Sequence, residues 1–536
     1  MKNEKGKPKK EQNMESNSGL SRREFIVGTT AGVITLSLGD LLLPSLGKAA
    51  TPQKGGKLVY AGSYKNSKHK SAKNAKHPYY GIEIRTKNTY NQLTWVDENL
   101  NVVPEVATAW EANDGQDVWE VTIRQDIQFH DGRPLTVEDV VASYNLHKDT
   151  KLGTSFAKKL VDKVEKIGAD KVRFYLKTPN SEFAWNMAEY RQVIMPAAPL
   201  EEMGLSGIGS GPFKFAKVDV GRRVIYEANE NYWGQGPYLD TLECVNLPGM
   251  DPLNGYLSGQ FDVLASVDPS LIGQLQKTPK TVIDISVAGD QILMVLPKYE
   301  GSPFMDKRVR QALSLALDRE GIIRIVYGGK AGWISNDSHM AATNEDFLPK
   351  KPIRDVEKAK QLLAEAGHPD GITLPTFYYA PYVPEITRVL SVAAESVKAA
   401  GITMNIEERP MAGYRKWRVE DKEKTRKHRF AMGPVGPRNP AMNLFRMARP
   451  EYNESGYWHP CAEGDTYIAL YKKAMRTGDP MARRKIYHEM QRLLQEEVPA
   501  IFLTGRRETI AFRSNVHGLK AHPQHWSMRF MEVWKS

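Results

Sequence analysis

The hydrophobic positions in the first half of the chain alternate with polar ones, as they do in β-strands. Trp119, Val121 and Ile123 are separated by single residues that are polar, and residues 172–176 repeat this period of two. Successive side chains of a strand point to opposite faces of a sheet, so both runs predict strands with one buried face. Short apolar runs predict further strands at residues 58–60, 213–215 and 224–228.

The second half shows helical spacing instead. After Asp306, apolar residues recur at positions 309, 312, 313, 316 and 317, which is the pattern of one helix face. The same spacing predicts four more helices, which end at Gly328, Gly367, Gly401 and Pro499. Strands are predicted at residues 402–406 and 500–504. Helices that end in glycine or proline and lead into a strand favour the α/β fold class.

A turn and two helix starts can also be located. Residues 130–132 read His-Asp-Gly, which is typical of a turn. A catalytic His–Asp dyad is the alternative, but adjacent side chains on a strand point apart, so the turn is favoured. Thr136 and Asp139 have the spacing of a capping box, and Asp355 is a predicted helix cap.

Residues 1–50 have the order of an export signal rather than of a folded domain. A polar, lysine-rich start is followed by SRREFI at residues 21–26, a mildly apolar stretch, and GKAA at residues 47–50. The segment is similar to a twin-arginine signal, which directs folded proteins across the bacterial inner membrane. We therefore expect a mature protein outside the cytoplasm, in the periplasm, with the signal either removed or kept as an anchor.

Composition and charge narrow the class of protein. The chain has 536 residues, of which 41% are hydrophobic and 26% charged, so disorder and collagen-like repeats are excluded. Without residues 1–50 the formal net charge is +8. A basic run at residues 65–77 is interpreted as a solvated loop, with a polyanion-binding patch as the alternative. Two cysteines, Cys244 and Cys461, are too few to predict a disulfide framework, and their pairing stays open.

Several catalytic motifs are missing from the sequence. It has no G-x-S-x-G nucleophile elbow and no G-x-x-x-x-G-K-[ST] phosphate-binding loop. His488-Glu489 lacks the second histidine that a zinc-binding helix needs. We therefore predict that the protein is not an enzyme, has no catalytic residues and carries no metal or cofactor. Nickel or haem bound by histidines that converge in the fold stays an open alternative.

Six motifs in order resemble one family. Residues 103–111 (VPEVATAWE) resemble a segment of family 5 extracellular solute-binding proteins of ABC importers, the peptide- and nickel-binding group, and residues 119–124 followed by 129–140 (FHDGRPLTVEDV) resemble the most diagnostic stretch of that family. The other four are GSGPF at residues 209–213, VRQAL at 309–313, AKQLLAEAG at 359–367, and residues 483–499. The resemblance covers residues 55–530, nearly the whole mature chain.

The resemblance implies a two-lobed α/β flytrap, the periplasmic-binding-protein-like class with an extra domain beside the first lobe. Lobe I would comprise residues 51–64, 210–293 and 506–536, the extra domain residues 65–209, and lobe II residues 294–505. A solute would bind between the lobes and close them. The implied partners are a permease in the inner membrane and its separate ATPase subunit. We expect a monomer that binds no nucleic acid.

Departures from the family bear on the solute. Where dipeptide-binding members have R-P-Y-N-P, residues 380–384 read APYVP, so Ala380 replaces the arginine that pairs with the peptide carboxylate. Residues 433–440 (GPVGPRNP) contain no aspartate for the peptide amine. A buried ammonium without a partner is costly, so a simple dipeptide is a poor candidate. Arg438 instead offers a planar guanidinium for a carboxylate or phosphate.

The predicted ligand-binding residues combine Arg438 and Asn439 with aromatic side chains of lobe II. Aromatic rings provide stacking surfaces for an organic solute. The aromatic members of the set are Tyr379, Tyr382, Tyr414, Trp417 and Trp458. The expected solute is oligopeptide-like or anionic. Two alternatives stay open: an export-targeted enzyme or cofactor-binding protein, and a receptor that presents its solute to a membrane sensor.

Overall fold

The structure of the chain is a computed structural model. It describes residues 51–62, 83–149, 151–152, 154–246, 252–296, 298–349, 352–410, 431–448, 458, 461–524 and 527–536. Several predictions lie outside these residues: the export signal at residues 1–50, the basic run at residues 65–77, Tyr414 and Trp417.

The strands are short and occur along most of the described chain. In order they are β1 (Lys57–Gly62), β2 (Thr94–Val96), β3 (Val102–Pro104), β4 (Ala107–Ala112), β5 (Val118–Ile123), β6 (Val161–Lys166), β7 (Lys171–Leu176), β8 (Phe213–Asp219), β9 (Arg223–Ala228), β10 (Thr241–Asn246), β11 (Val263–Leu264), β12 (Thr281–Ile285), β13 (Gln291–Val295), β14 (Gly332–Trp333), β15 (Ile372–Thr373), β16 (Phe377–Tyr379), β17 (Ile402–Thr403), β18 (Ile406–Glu408), β19 (Ala431–Val435), β20 (Ala500–Arg506), β21 (Thr509–Arg513), β22 (Val516–His517) and β23 (Trp534–Lys535).

The longer helices lie in the second half, as the periodicity predicts. In order the helices are α1 (Glu83–Thr89), α2 (Val137–Lys148), α3 (Ser155–Leu160), α4 (Phe183–Asn186), α5 (Pro252–Leu257), α6 (Ile272–Gln276), α7 (Lys307–Ala316), α8 (Arg319–Tyr327), α9 (Val356–Glu365), α10 (Ile386–Val397), α11 (Pro440–Ala448), α12 (Ala462–Met475) and α13 (Pro480–Glu497). Short 3-10 helices add Pro269–Leu271, Pro303–Met305 and Lys398–Ala400.

Aspartate caps start three of the predicted helices. The carboxylates of Asp306, Asp355 and Asp479 each accept a hydrogen bond from a backbone N–H in the first turn, at 2.7–2.8 Å. Gly328 ends α8 in the left-handed conformation, with φ of 57°. The predicted single strand at residues 402–406 is wrong in detail. It forms two strands, because β17 pairs with β15 and β18 pairs with β16.

A seven-stranded sheet of order β12-β21-β11-β1-β10-β9-β8 lies in the residues predicted as lobe I. We keep the names lobe I, extra domain and lobe II for the three predicted parts of the chain. Strand β1 runs parallel to both of its neighbours, and the other pairs are antiparallel. Its strands come from three separate stretches of sequence, and the last strand, β21, returns from the far end of the chain. The alternating residues Leu58, Leu242 and Val224 are fully buried in one core of this sheet.

The extra domain contains an antiparallel sheet of order β4-β5-β7-β6. The residues that alternate in the sequence, Trp119, Val121 and Ile123, all face its core and are less than 10% exposed. Helix α2 covers this face with Val140 and Tyr144. The predicted strands and their buried face are therefore confirmed.

Lobe II contains a sheet of order β14-β20-β13-β19 between two layers of helices. Ile292 and Met294 of β13 pack in the same core as residues of α7, α8 and α10. Leu293 and Val295 face the other side, in the core shared with α11, α12 and α13. Because both faces are covered, β13 is apolar at consecutive positions rather than alternating.

Two of the sequence motifs contact each other where the extra domain meets lobe I. His130 Nδ1 accepts a hydrogen bond from the Gly209 N–H at 3.2 Å, and its Nε2 lies 3.0 Å from the Gly211 carbonyl oxygen. A Cβ at Gly209 would lie 2.0 Å from the Thr89 carbonyl oxygen, so this approach requires glycine. Burial lowers the pKa of His130 to about 4, so the ring is neutral. His130 therefore joins the two motifs by hydrogen bonds. The predicted turn at residues 130–132 is confirmed.

Candidate functional site

The chain passes between the lobe I and lobe II sheets at two adjacent places. Residues 286–290 lead from β12 to β13, and residues 507–508 lead from β20 to β21. We call these two segments the hinge. Glu508 N–H donates to Ser286 Oγ at 2.8 Å, and Ser286 N–H donates to the Glu508 carbonyl oxygen at 2.9 Å. A Cβ at Gly289 would lie 2.3 Å from the Arg506 carbonyl oxygen, so the two crossings are in close backbone contact.

Buried charges surround the hinge. The Arg506 guanidinium lies 2.8 Å from Glu385, 3.6 Å from Asp290 and 3.7 Å from Glu508, and all four side chains are less than 10% exposed. Burial alone would lower the pKa of Arg506, but the three carboxylates outweigh it and raise the pKa. Sequence reasoning missed this group because its members are far apart in the chain. The only local signal is a pair of arginines, Arg506 and Arg507, at the end of an apolar strand.

Lobe II also contacts the rest of the protein through residues 437–441, which follow β19 and include the first two residues of α11. We call this segment, together with its partners, the closure face. The Pro437 carbonyl oxygen accepts from Gln524 Nε2 at 2.8 Å, which links lobe II to lobe I. Asn439 Nδ2 donates to Asn186 of the extra domain at 3.4 Å. At the closure face, one loop of lobe II is therefore hydrogen-bonded to both lobe I and the extra domain.

The extra domain makes a second set of contacts with lobe II. The Glu182 carboxylate accepts from Ala441 N–H at 3.0 Å and from the Tyr487 hydroxyl at 2.7 Å. Arg483 Nε lies 3.7 Å from the same carboxylate. Ser181 N–H donates to the carbonyl oxygen of Met475 at 3.0 Å. Separation of the extra domain from lobe II would break these contacts.

A small apolar cluster brings together residues of the hinge, the extra domain and lobe II. Val96, Leu100, Ala188, Ala288 and Ala341 form it, and each is less than 10% exposed. Ala288 belongs to the hinge, Ala188 to the extra domain and Ala341 to lobe II. The small side chains let the three parts of the protein approach closely.

Two of the predicted ligand-binding residues lie on the closure face. Arg438 is half-buried between Pro437 and Asn439, and its carbonyl oxygen accepts from Asn443 Nδ2 at 2.9 Å. Asn439 is fully buried, and its Oδ1 accepts from Met442 N–H at 2.8 Å, which caps α11. Asn439 therefore has a structural role that the sequence did not reveal. Contact of either residue with a solute stays a prediction.

Of the predicted aromatic residues, the structure describes Tyr379, Tyr382 and Trp458. Tyr379 is 3% exposed, and its hydroxyl lies 3.1 Å from both Thr387 Oγ1 and Glu408 Oε2. Trp458 is 1% exposed, and its indole N–H donates to the Met447 carbonyl oxygen at 2.9 Å. Tyr382 is half-buried in the loop before α10. The Tyr379 ring packs in the core and its hydroxyl has exposed partners, whereas Trp458 is bonded within the core. A role in ligand binding stays a prediction for all three.

A cation and aromatic group that sequence reasoning missed lies beside the closure face. Lys87 Nζ donates to Gln92 Oε1 at 2.8 Å and to the Ala188 carbonyl oxygen at 3.0 Å. Two cations contact the Trp95 ring. Lys87 Nζ lies 4.6 Å from the ring centre, and the Arg529 guanidinium lies 3.5 Å from it. Burial lowers the pKa of Lys87 to about 7. No periodicity marks these residues, because their partners are distant in sequence.

The described residues of the site include neither a group of metal ligands nor a disulfide. Within the described ranges, no group of three or more His, Cys, Asp or Glu side chains is placed to hold a metal ion. Cys244 lies in the lobe I sheet and Cys461 precedes α12 of lobe II, and no disulfide joins the two. None of the described helices has the length and apolar composition that crossing a bilayer requires.

Known proteins are similar to this chain over most of its length. The family model "Bacterial extracellular solute-binding proteins, family 5 Middle" matches residues 101–446. The oligopeptide-binding protein AppA of Bacillus subtilis is 27% identical over 527 residues, which cover 89% of this chain and 91% of AppA. The dipeptide-binding protein of Escherichia coli is 25% identical over 473 residues, which cover 81% of this chain and 86% of that protein.

The fold is also found among solved structures. NikA from Brucella suis, solved in complex with Fe(III)-EDTA, has a TM-score of 0.76 at 18% identity. The match covers 90% of this chain and all of NikA, at 100%. At this identity the likeness shows the fold alone, and it confirms the two-lobed α/β class predicted from the sequence.

Proposed function

This chain belongs to the bacterial extracellular solute-binding proteins of family 5, which are non-enzymatic components of solute import, and we propose that it captures an organic solute by closing about its hinge. The closed protein then delivers the solute to an inner-membrane permease with a separate ATPase subunit. One observation carries the proposal. The two crossings join the lobes permanently, whereas the closure face joins the same parts by hydrogen bonds that water can replace.

The solute we propose is oligopeptide-like or anionic, and not a simple dipeptide. Arg438 supports this, since it lies half-buried in the loop that closes onto lobe I and the extra domain. Residues 433–440 provide no carboxylate for a peptide amine, and Ala380 stands where an arginine would bind a peptide carboxylate. Micromolar affinity corresponds to about −8 kcal/mol, and this value includes the free energy of closing.

We also propose the cellular route and the division into domains. The SRREFI segment at residues 21–26 supports export by the twin-arginine route to the periplasm. For the domains, lobe I would comprise residues 51–64, 210–293 and 506–536, the extra domain residues 65–209, and lobe II residues 294–505. Strand β13 begins at Gln291 and β20 ends at Arg506, both in the lobe II sheet, so we propose to move two of these boundaries to the hinge. Lobe I would then end at residue 290 rather than 293 and resume after residue 506.

Native mass spectrometry of the protein purified from its exported fraction tests the proposal. We expect an additional mass of a few hundred daltons that is lost after mild denaturation. Loss of that mass in Arg438→Ala, but not in Arg476→Ala, would support the anionic class, since Arg476 is an exposed arginine of the same lobe. If the mass is a metal or a redox cofactor, or if turnover of the bound compound is observed, the proposal is wrong.

A fusion test addresses the route of export. Residues 1–50 placed before a reporter that folds in the cytoplasm should export it only in cells with a working twin-arginine system. Replacement of Arg22 and Arg23 by lysine should stop this export. Export that continues in cells without the twin-arginine system would contradict this part of the proposal.

A further inference from the structure

The side chain of Glu182 reaches out of its own domain. Glu182 precedes the short helix α4 of the extra domain, but its side chain makes no capping hydrogen bond to that helix. Its carboxylate instead contacts Ala441 of α11 and Tyr487 and Arg483 of α13, all in lobe II. Only 8% of the side chain is exposed. In the proposed closure, the Glu182 carboxylate loses its hydrogen bonds to water. Donors of lobe II must then replace them.

Lobe II offers this carboxylate a set of donors from two helices. Helix α11 has nine residues and begins with Pro440, which has no N–H, so Ala441 provides the first backbone donor of the helix. The N-terminus of a helix attracts an anion. Arg483 and Tyr487 are four residues apart on α13 and therefore share one face. The three donors converge on one acceptor from another domain.

We propose that Glu182 is the positioning residue by which the extra domain latches lobe II in the closed form. The proposal rests on the proposed function, because a latch has meaning only if the lobes open and close. Glu182 would set how much of the protein is closed, and thereby the solute affinity, without touching the solute. The extra domain would then take part in closure rather than being an addition to lobe I.

Protonation changes the strength of the latch. Burial raises the pKa of Glu182 to about 7, against an ordinary value of 4.5, although Arg483, the Ala441 N–H and Tyr487 act in the opposite direction. In the open form the carboxyl is hydrated, and its pKa returns towards the ordinary value. Closing therefore takes up a proton. The stabilisation of the closed form is fully present below the open-form pKa and is lost as the pH rises through the closed-form pKa.

One more charge faces this group. Asp346, in the loop before α9, raises the pKa of Glu182 further. Its carboxylate is paired with Arg484 of α13 at 3.0 Å, so its charge is largely balanced. Of Glu182 and the described groups around it, we therefore assign the proton taken up on closing to Glu182.

The latch can be tested by measuring the closed population directly, in protein freed of solute by unfolding and refolding. Spin labels at Leu152→Cys of the extra domain and Ile353→Cys of lobe II report the separation of the two parts, because both positions are exposed and lie away from Glu182 in the sequence. The label must not react with the protein's own cysteines. Cys461→Ser removes the partly exposed thiol, and Cys244 is buried. Distances are then measured by double electron–electron resonance.

The expected results differ between three proteins. In the wild type, the ratio of closed to open form should fall by up to about tenfold per pH unit as the pH rises from about 5 to about 7. Glu182→Gln mimics the protonated carboxyl, so its ratio should stay near the wild-type value at low pH throughout. Glu182→Ala removes the contacts and should lower the ratio about tenfold or more at low pH. Glu111→Gln, an exposed carboxylate of the same domain, should behave as the wild type.

Two results would overturn the latch alone. These are an unchanged pH profile in Glu182→Gln and an unchanged closed population in Glu182→Ala that folds as judged by its thermal unfolding. A single distance in every protein, at every pH and also after addition of the solute identified by native mass spectrometry, would instead show that the lobes do not move. That result would overturn the proposed function and the latch together.

Discussion

The hinge and the closure face connect the same parts of the molecule, but with different chemistry. At the hinge, Arg506 is enclosed by three buried carboxylates, and the backbone of one crossing touches the other. At the closure face, the contacts of Gln524 and Asn439 are single hydrogen bonds between neutral groups. Glu182 is the exception, as an ionisable group whose partners lie on another lobe.

The difference follows from what each region must do. In the proposed closure, hinge contacts are kept in both forms, so the buried carboxylates there keep Arg506 as their counter-charge. Closure contacts are exchanged for water each time the lobes open. A neutral hydrogen bond contributes about 1 kcal/mol net, so a few of them leave opening and closing nearly balanced. Changes at the hinge should therefore affect stability most, and changes at the closure face should affect mainly the closed population.

Arg506→Met should have the largest effect. It leaves Glu385, Asp290 and Glu508 buried without their cation, and removal of one partner of a buried ion pair costs about 3–5 kcal/mol. Urea unfolding measures the loss. Arg222→Met removes an exposed arginine of lobe I and should change stability little. A loss below about 1 kcal/mol for Arg506→Met would show that the carboxylates are not held by this arginine.

Gly289→Ala should come next, because it forces the two crossings apart. The added Cβ would lie 2.3 Å from the Arg506 carbonyl oxygen, and overpacking of this kind costs about 1–3 kcal/mol. Gly273→Ala is the matched control, since a Cβ there meets nothing within 4 Å and the residue lies in helix α6. Thermal unfolding should show Gly289→Ala destabilised and Gly273→Ala unchanged or slightly stabilised. Equal stabilities would mean that the hinge is not tightly packed.

Asn439 allows the two functions of one side chain to be separated. Asn439→Ala removes the cap of α11 as well as the contact with Asn186, and should cost about 1 kcal/mol of stability. Asn439→Ser keeps a neutral capping oxygen but loses the amide donor. It should stay close to the wild-type stability and lower mainly the closed population measured by the spin-label distances. A loss of stability in Asn439→Ser as large as that in Asn439→Ala would contradict this separation.

Gln524→Ala should have the smallest effect. It removes one neutral hydrogen bond to the Pro437 carbonyl oxygen, so the closed population should fall about threefold to tenfold. It also removes the bond that Gln524 Oε1 accepts from Ser527 Oγ within lobe I, so stability should fall by about 1 kcal/mol. A loss of stability as large as that of Arg506→Met would remove the distinction between the closure face and the hinge.

The sequence was informative about elements and much less so about the site. Apolar spacing predicted α7, α8, α9, α10 and α13, and aspartate caps marked where three of them begin. The motif at residues 129–140 predicted a turn and a capped helix, both of which are observed. Trp458 and Tyr379 show the limit of such reasoning. An aromatic residue is equally suited to a core or a binding surface, and only burial shows that both rings pack in a core.

Local pattern therefore determined the helices, the strands and the family, because periodicity, caps and glycine ends act over a few residues. Only the tertiary structure decided which groups the buried charged residues contact. Glu182 contacts Ala441 at a separation of 259 residues and Tyr487 at 305, and no local pattern links such positions. Burial turns a common surface residue into a latch or a hinge charge, because a carboxylate enclosed by protein must find its partners there rather than in water.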